Sequence, residues 1–424
     1  MLERLIPLIV LFWGVVAHGG DVKFGIDTLR ASGFELLQGK RVGLVANPAS
    51  VDSHLVPTID VLHQAKEVDL VALFGPEHGI YGDEYAGDKV PDRKDPRTGL
   101  PVFSLYGETR KPTAKMLEQI DTLVLDLQDL GARSYTYIST MKVCMEACSE
   151  LDKELVILDR PNPLGGERIE GPDLKPGFES FIGLIPVPYV HGMTMGELAQ
   201  FVNAKFYPEY SKLRVVKMSG WSRNMVWQDT GRDWVPTSPH IPQAIGCASY
   251  VATGIMGELY GVSIGVGYTL PFQIVGAPWI DGDALADALN DHWRDPHAAY
   301  EAALRKRMIG LEKTAKPQGV YFRSARFKPF FATFAGEACR GVQVHIDPRS
   351  AETLVEINFR LMQALNAREL LAKSQKRWGM FDKANGSDEV RKALLREEDL
   401  EPLFESWRQQ CAEFREERKP HLLY

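Results

Sequence analysis

Four short apolar runs, Arg41 to Ala46, Val68 to Phe74, Thr122 to Leu127 and Leu155 to Leu158, constrain the fold more than any other feature of the chain. Each has strand length and is apolar almost throughout, the pattern of a strand buried on both faces. Between them lie stretches of helical period: Ile59 with Leu62, then Ile138, Met141, Met145 and Cys148, which step by three and four residues along one face. Strands alternating with helices predict an α/β fold, a mostly parallel sheet covered on both sides.

Each run leads directly into a polar or glycine- and proline-rich loop: Asn47-Pro48-Ala49-Ser50, Gly75-Pro76-Glu77-His78-Gly79, Asp126 to Arg133, and Asp159 to Gly166. In an open parallel sheet all strand C-termini share one edge, so loops scattered in sequence converge in space. That edge is where such sheets bind ligands.

After a fifth candidate strand, Leu213 to Met218, the pattern loosens. Tryptophans appear at Trp221, Trp227, Trp234 and Trp279, and a glycine-rich stretch from Gly261 to Gly267 precedes Pro271. The expected division is therefore a sheet-bearing domain over residues 21–270 and a smaller α+β domain over 271–424 that completes the cleft. The second carries strands at Gly319 to Arg323 and Gly341 to Ile346, and a charged helical stretch from Ser387 to Arg418. At the other end, the apolar run Leu5 to Ala17 has the length of a signal-peptide core, with small residues at Ala17, Gly19 and Gly20. Residues 1–20 are expected to be a leader and the protein periplasmic or secreted, with an uncleaved membrane anchor as the alternative. Nothing after Gly20 resembles a span.

Charge and cysteines exclude several classes. With 49 basic and 56 acidic residues the formal net charge is −7, and no dense Lys/Arg cluster marks a nucleic-acid partner. Five cysteines in 424 residues are too few, and odd in number, for a disulfide framework. Cys144 and Cys148 lack a second pair to complete a zinc site. The glycine-rich stretch reads G-x-x-x-G-x-G without the strand, helix and acid of a dinucleotide site, and no P-loop, H-E-x-x-H or G-x-S-x-G is present. No nucleotide, cofactor or metal is expected.

The chemistry-bearing residues lie on the strand-end loops. Glu77 and His78 occupy a turn stiffened by Pro76 and flanked by glycines, where a partly desolvated carboxyl can act as a general acid, or can simply cap a helix or pair with an arginine. Asp126, Gln128, Asp129 and Arg133 follow, with Tyr137 just beyond. Glu77, Asp126 and Asp129 suit glycoside hydrolysis, which needs an acid and a base or nucleophile; with His78 they equally suit a divalent cation. Asp126 has a plainer alternative, accepting backbone hydrogen bonds at its strand end. Two prolines stiffen the loop that carries Arg160 and Asn162. Arg133 and Arg160 are the arginines best placed to grip a carboxylate in bidentate fashion, unless they pair with the neighbouring aspartates. Asn47, His191 and Glu258 complete the candidate substrate-binding set. Thr194 to Glu197 has capping-box spacing, so Glu197 is read as a helix cap.

In their order and spacing, Gly75-Pro76-Glu77-His78-Gly79, Thr98-Gly99-Leu100-Pro101-Val102, Asp126-Leu127-Gln128-Asp129, Gly131-Ala132-Arg133, Tyr135-Thr136-Tyr137 and Asp159 to Gly166 resemble the bacterial exo-β-N-acetylmuramidases. The likeness continues through His191-Gly192-Met193-Thr194, Pro271-Phe272, Gly276 to Trp279 and the closing Leu422-Leu423-Tyr424. It implies a Rossmann-like domain without a nucleotide, a smaller C-terminal domain, and an active site in the cleft between them. It also implies release of terminal N-acetylmuramic acid from peptidoglycan fragments, with Glu77 as the catalytic residue. One segment departs: where the family pattern is Ser-Glu-Gly-Arg-Gly-Thr-Thr, this chain has Ser263-Ile264-Gly265-Val266-Gly267-Tyr268-Thr269. If that segment lines the cleft, a different terminal sugar or lost activity is expected. The combined expectation is a hydrolase with Glu77 as acid/base and His78, Asp126 and Arg133 as orienting or binding groups. A non-catalytic sugar-binding protein and a metal-dependent hydrolase are the alternatives.

Overall fold

The apolar runs become the strands of a sheet. The computed structural model describes residues 22–85, 87–89, 91–292 and 319–424, so the expected leader lies outside the described residues. Among them, β1 (Arg41–Ala46), β2 (Asp69–Gly75), β3 (Arg93–Lys94), β4 (Pro101–Ser104), β5 (Thr122–Asp126), β6 (Glu154–Leu158) and β7 (Leu213–Val216) form a seven-stranded sheet of order β3-β4-β2-β1-β5-β6-β7. All pairings are parallel except the short β3–β4 edge. The chain steps from β1 outward to β2 and β4, then returns past β1 to β5, which places the topological switch point between β1 and β5.

Period-two alternation explains why these strands read as continuous apolar runs. On β5, Leu123 and Leu125 enter one core while Val124 enters the other. The first core receives Leu117 of α3 (Ala114–Leu117), α4 (Thr136–Glu150) through Ile138, Met141, Met145 and Cys148, and α5 (Met195–Phe206) through Leu198, Phe201 and Val202. The second receives Ile26 and Leu29 of α1 (Gly25–Ala31) and Leu62 of α2 (Thr58–Gln64). The capping box opens α5 as its spacing predicts. Thr194 Oγ1 accepts the Glu197 N–H at 3.2 Å and Glu197 Oε2 accepts the Thr194 N–H at 3.0 Å.

The rest of the chain builds a second, antiparallel sheet of order β8-β10-β9 from β8 (Ile274–Ala277), β9 (Val320–Phe327) and β10 (Cys339–Ile346). Helix α6 (Ile245–Thr253) packs on α8 (Leu354–Ala364), and α7 (Gly282–His292) lies against β9 and β10. The first core runs unbroken from the β1–β5 region into Phe322, Val342, Leu354 and Phe359, so the two sheets share one apolar interior. After α9 (Ala367–Lys373), α10 (Trp378–Asn385) and α11 (Glu389–Leu395), α12 (Glu401–Glu417) returns to the first sheet, where Phe414 meets Phe201 edge-on at 5.8 Å. The chain then ends with the Tyr424 hydroxyl on Asp159 Oδ2 at 2.8 Å. The five cysteines are buried and unpaired.

Candidate active site

Parallel pairing brings the loops after β1, β2, β5 and β6 to one edge, and Glu77 stands at that edge in a sharp turn. His78 and Gly79 both adopt left-handed backbone, φ 70° and 75°. That conformation costs a non-glycine residue free energy, and here it turns the chain away directly after β2. The Glu77 carboxylate is partly exposed and held from two sides. Thr136 Oγ1 donates to Oε2 at 2.7 Å and the Gly87 N–H to Oε1 at 3.0 Å. The Tyr106 hydroxyl lies beside it, pushed up to about 12 by burial and then by the Glu77 charge.

Behind the glutamate is a wall of phenols. Tyr135 meets Tyr137 edge-on at 4.8 Å and Tyr250 at 6.1 Å, and burial pushes all three hydroxyls upward, so they stay neutral. Tyr137 donates to the Thr237 carbonyl at 2.8 Å and lies 3.4 Å from the Glu77 carbonyl, so it positions the turn. His78 donates Nδ1–H to the Glu84 carbonyl at 2.9 Å, which leaves Nε2 as its acceptor. Burial first, and neighbouring His78 second, lower the pKa of His240.

A second polar group lies on the β5 loop. Asp129 Oδ2 accepts the Gly131 N–H at 2.7 Å and stands 3.7 Å from His191 Nε2. His191 Nδ1 accepts the Met193 N–H at 3.2 Å, so the proton of a neutral ring is on Nε2. Asp129 Oδ1, Gln128 Oε1 and His191 Nε2 are buried without a hydrogen-bond partner. Buried polar atoms rarely stay unpaired, and these three cluster around the β5 loop.

Other candidates prove to be braces. Asp126 and Arg160 are closed on each other: Arg160 donates through Nε to Oδ1 at 2.5 Å and through Nη2 to Oδ2 at 2.9 Å. Thr58 Oγ1 donates to Oδ2 at 2.6 Å, and Arg160 Nη2 also donates to the Val51 carbonyl at 2.7 Å. The pair ties β5, β6, α2 and the β1 loop together, so neither group faces the cleft. Arg133 is fully buried, donating to the carbonyls of Pro172 at 2.6 Å, Val187 at 2.9 Å and Ala384 at 3.3 Å. It clasps the C-terminal helices to the first domain instead of gripping a ligand. Asn162 shapes its own loop by donating to the Met193 carbonyl at 3.0 Å and accepting the Leu164 N–H at 3.0 Å. Asn47 holds Thr237 at 3.0 Å, while Glu258 pairs with Arg377 at 2.8 Å. The grouping of Glu77, Asp126 and Asp129 with His78 around one cation is not formed; among the described residues no three His, Cys, Asp or Glu side chains gather as metal ligands.

The divergent segment has a structural role. Ile264 is buried in the main core, and Val266 packs against it. Gly265 and Gly267 have φ of 79° and 86°, and a Cβ on Gly267 would lie 2.0 Å from the Phe331 carbonyl oxygen. This close approach seats the tip of the β9–β10 hairpin, where the Phe330 N–H reaches the Gly267 carbonyl at 2.6 Å. The Phe331 ring then lies 6.1 Å from that of His240, so this hairpin of the second sheet reaches the neighbourhood of His78. Tyr106, Thr237 and His240 were not recognisable from sequence, because nothing local distinguishes them from ordinary polar residues, and Thr136 stood inside the Tyr135-Thr136-Tyr137 motif without a role assigned to it.

Comparison with known proteins agrees over nearly the whole chain. The model described as "Exo-beta-N-acetylmuramidase NamZ, N-terminal" matches residues 42–245, and its C-terminal counterpart matches residues 248–424. The peptidoglycan β-N-acetylmuramidase NamZ of Bacillus subtilis (strain 168) is 39% identical over 408 residues, 95% of this chain and 91% of that protein. The crystal structure of a DUF1343 family protein from Bacteroides fragilis NCTC 9343 superposes with a TM-score of 0.84 at 44% identity, covering 95% of this chain and 99% of that one. A second DUF1343 protein from the same strain gives 0.70 at 28% identity with the same coverage of 95% and 99%.

Proposed function

The chain belongs to the exo-β-N-acetylmuramidase NamZ family, and from that premise we propose that it is a glycoside hydrolase releasing terminal N-acetylmuramic acid from peptidoglycan fragments, with Glu77 at the scissile bond. The observation that carries the assignment of Glu77 is its setting: a partly exposed carboxylate at the sheet edge, held by Thr136 and Gly87 on two sides. In hydrolysis the glycosidic C–O bond breaks, the leaving oxygen takes a proton, and water supplies a hydroxyl to the anomeric carbon. Glu77 is suited to handle that proton. With Asp126 closed by Arg160 and Thr58, Asp129 is the remaining carboxylate of the candidate set, its buried Oδ1 unpartnered. The neutral phenols limit water behind Glu77, and the unpartnered Gln128 Oε1 and His191 Nε2 are a buried acceptor and donor beside Asp129.

Export fits a peptidoglycan substrate. The run Leu5 to Ala17 would serve as the leader, and no helix among the described residues is long and apolar enough to cross a membrane. Fractionation with sequencing of the mature N-terminus tests it.

Turnover of a chromogenic β-N-acetylmuramide, with and without chelator, tests the activity. Hydrolysis unaffected by chelator is expected. Chelator-sensitive turnover would support metal chemistry, and no turnover of any amino-sugar glycoside would support a binding protein on the same scaffold.

A further inference from the structure

The substrate differs from plain N-acetylglucosamine by a lactyl ether carrying a carboxylate, and both arginines expected to read that group are closed. Arg160 is committed to Asp126 and Val51, Arg133 to three backbone carbonyls. Arg110, on the loop after β4, is different. Its guanidinium carbon lies 4.6 Å from the ring centre of Tyr106 and 4.6 Å from that of Phe181, two rings that are themselves 5.9 Å apart. The side chain is exposed, yet its guanidinium is flanked by two aromatic rings. Among the described residues no carboxylate lies within ion-pair distance of it, although the chain carries many ion pairs elsewhere.

Tyr106 links this cation to the proposed reaction centre. Its hydroxyl is close enough to both charges to be shifted by them, Glu77 raising its pKa and Arg110 lowering it, so carboxylate and guanidinium are both neighbours of one phenol. A sugar whose anomeric oxygen meets Glu77 would therefore hold a ring substituent close to Arg110. We infer that Arg110 is a specificity-determining residue that binds the lactyl carboxylate of the terminal sugar as a bidentate partner, with Tyr106 and Phe181 as its supports. The inference rests on the muramidase reading and adds which side chain recognises the muramyl group.

Inhibition of hydrolysis by free N-acetylmuramic acid and by its neutral lactyl carboxamide tests it, together with kcat and KM on the chromogenic muramide. In the wild-type protein the acid should inhibit at least about tenfold more tightly than the carboxamide, the scale of a charge-assisted hydrogen-bonded pair. Arg110→Gln should bring the two within about twofold and raise KM for the muramide by about ten- to a hundredfold, with kcat and Tm little changed. Arg110→Lys should restore only part of the discrimination, because an ammonium does not reproduce the planar fork. A wild-type protein that does not discriminate, or an Arg110→Gln variant that keeps the wild-type ratio or weakens both inhibitors alike, overturns the inference while muramide turnover still stands. Absence of wild-type turnover on the muramide overturns the muramidase reading, and this inference with it.

Discussion

Replacing Arg160 by leucine should destabilise the protein without altering its choice of sugar. The change removes two donors from Asp126 and one from the Val51 carbonyl, leaving a fully buried carboxylate with only the Thr58 hydroxyl against its side-chain oxygens. Breaking a buried ion pair on one side costs about 3–5 kcal/mol, because the remaining charge has lost its partner. Loss of the guanidinium from the Phe24 ring face, 4.9 Å away, adds about 0.5–1 kcal/mol. The expected total, about 3.5–6 kcal/mol, is a large fraction of the 5–15 kcal/mol typical of folded proteins. Urea unfolding followed by tryptophan fluorescence measures it. The double variant Asp126→Leu/Arg160→Leu should be less destabilised than the sum of the two single changes. Per folded molecule, kcat/KM should change by the same factor on a muramide and on its carboxamide analogue. A loss below about 1 kcal/mol together with a KM defect confined to the charged substrate would refute this reasoning and return Arg160 to the ligand.

Two further outcomes follow from buried charges. Arg133→Met strips donors from the carbonyls of Pro172, Val187 and Ala384, so it should cost at least about 3 kcal/mol and speed amide exchange near Ala384 to Gly386, as read by exchange mass spectrometry. Burial pushes the Asp159 carboxyl from its ordinary 3.8 up to about 6, against donors from Gly196, Thr194 and Tyr424. A folded-state value above the unfolded one gives stability that is fully present below the unfolded value and is lost as pH rises through about 6. Asp159→Asn should therefore remove up to about 3 kcal/mol of decline between about pH 4 and pH 6, measured by urea unfolding across that range.

The parallel sheet was legible because burial on both faces writes it as apolar runs, and the strand-end loops followed from geometry alone. β4 begins at a proline and spans only Pro101–Ser104, while β8 is four residues beside a glycine-rich stretch, so neither carries a periodic signal. The site was legible as a neighbourhood but not as a set of roles. Loop position brought Arg133 and Arg160 to the sheet edge, yet what each donates to depends on Pro172, Ala384 and Val51, which are remote from them in sequence or on another loop. Arg110 went unnoticed for the converse reason: its supports, Tyr106 and Phe181, come from separate loops. The Ser263 to Thr269 segment departs from the family pattern, yet Ile264 faces the core and the two glycines seat a hairpin, so its changed residues are largely packing.

The most direct test concerns Glu77 itself. Glu77→Gln is nearly isosteric, keeps a carbonyl oxygen for Thr136 or Gly87, and removes the titratable proton. Steady-state hydrolysis of a chromogenic β-N-acetylmuramide across pH should show kcat lowered by at least about a hundredfold, with KM changed only a few-fold and the fold intact by circular dichroism. A fall of less than about tenfold with the wild-type pH dependence retained would contradict the assignment, leaving Glu77 as a brace for the turn and Asp129 as the carboxylate to test next.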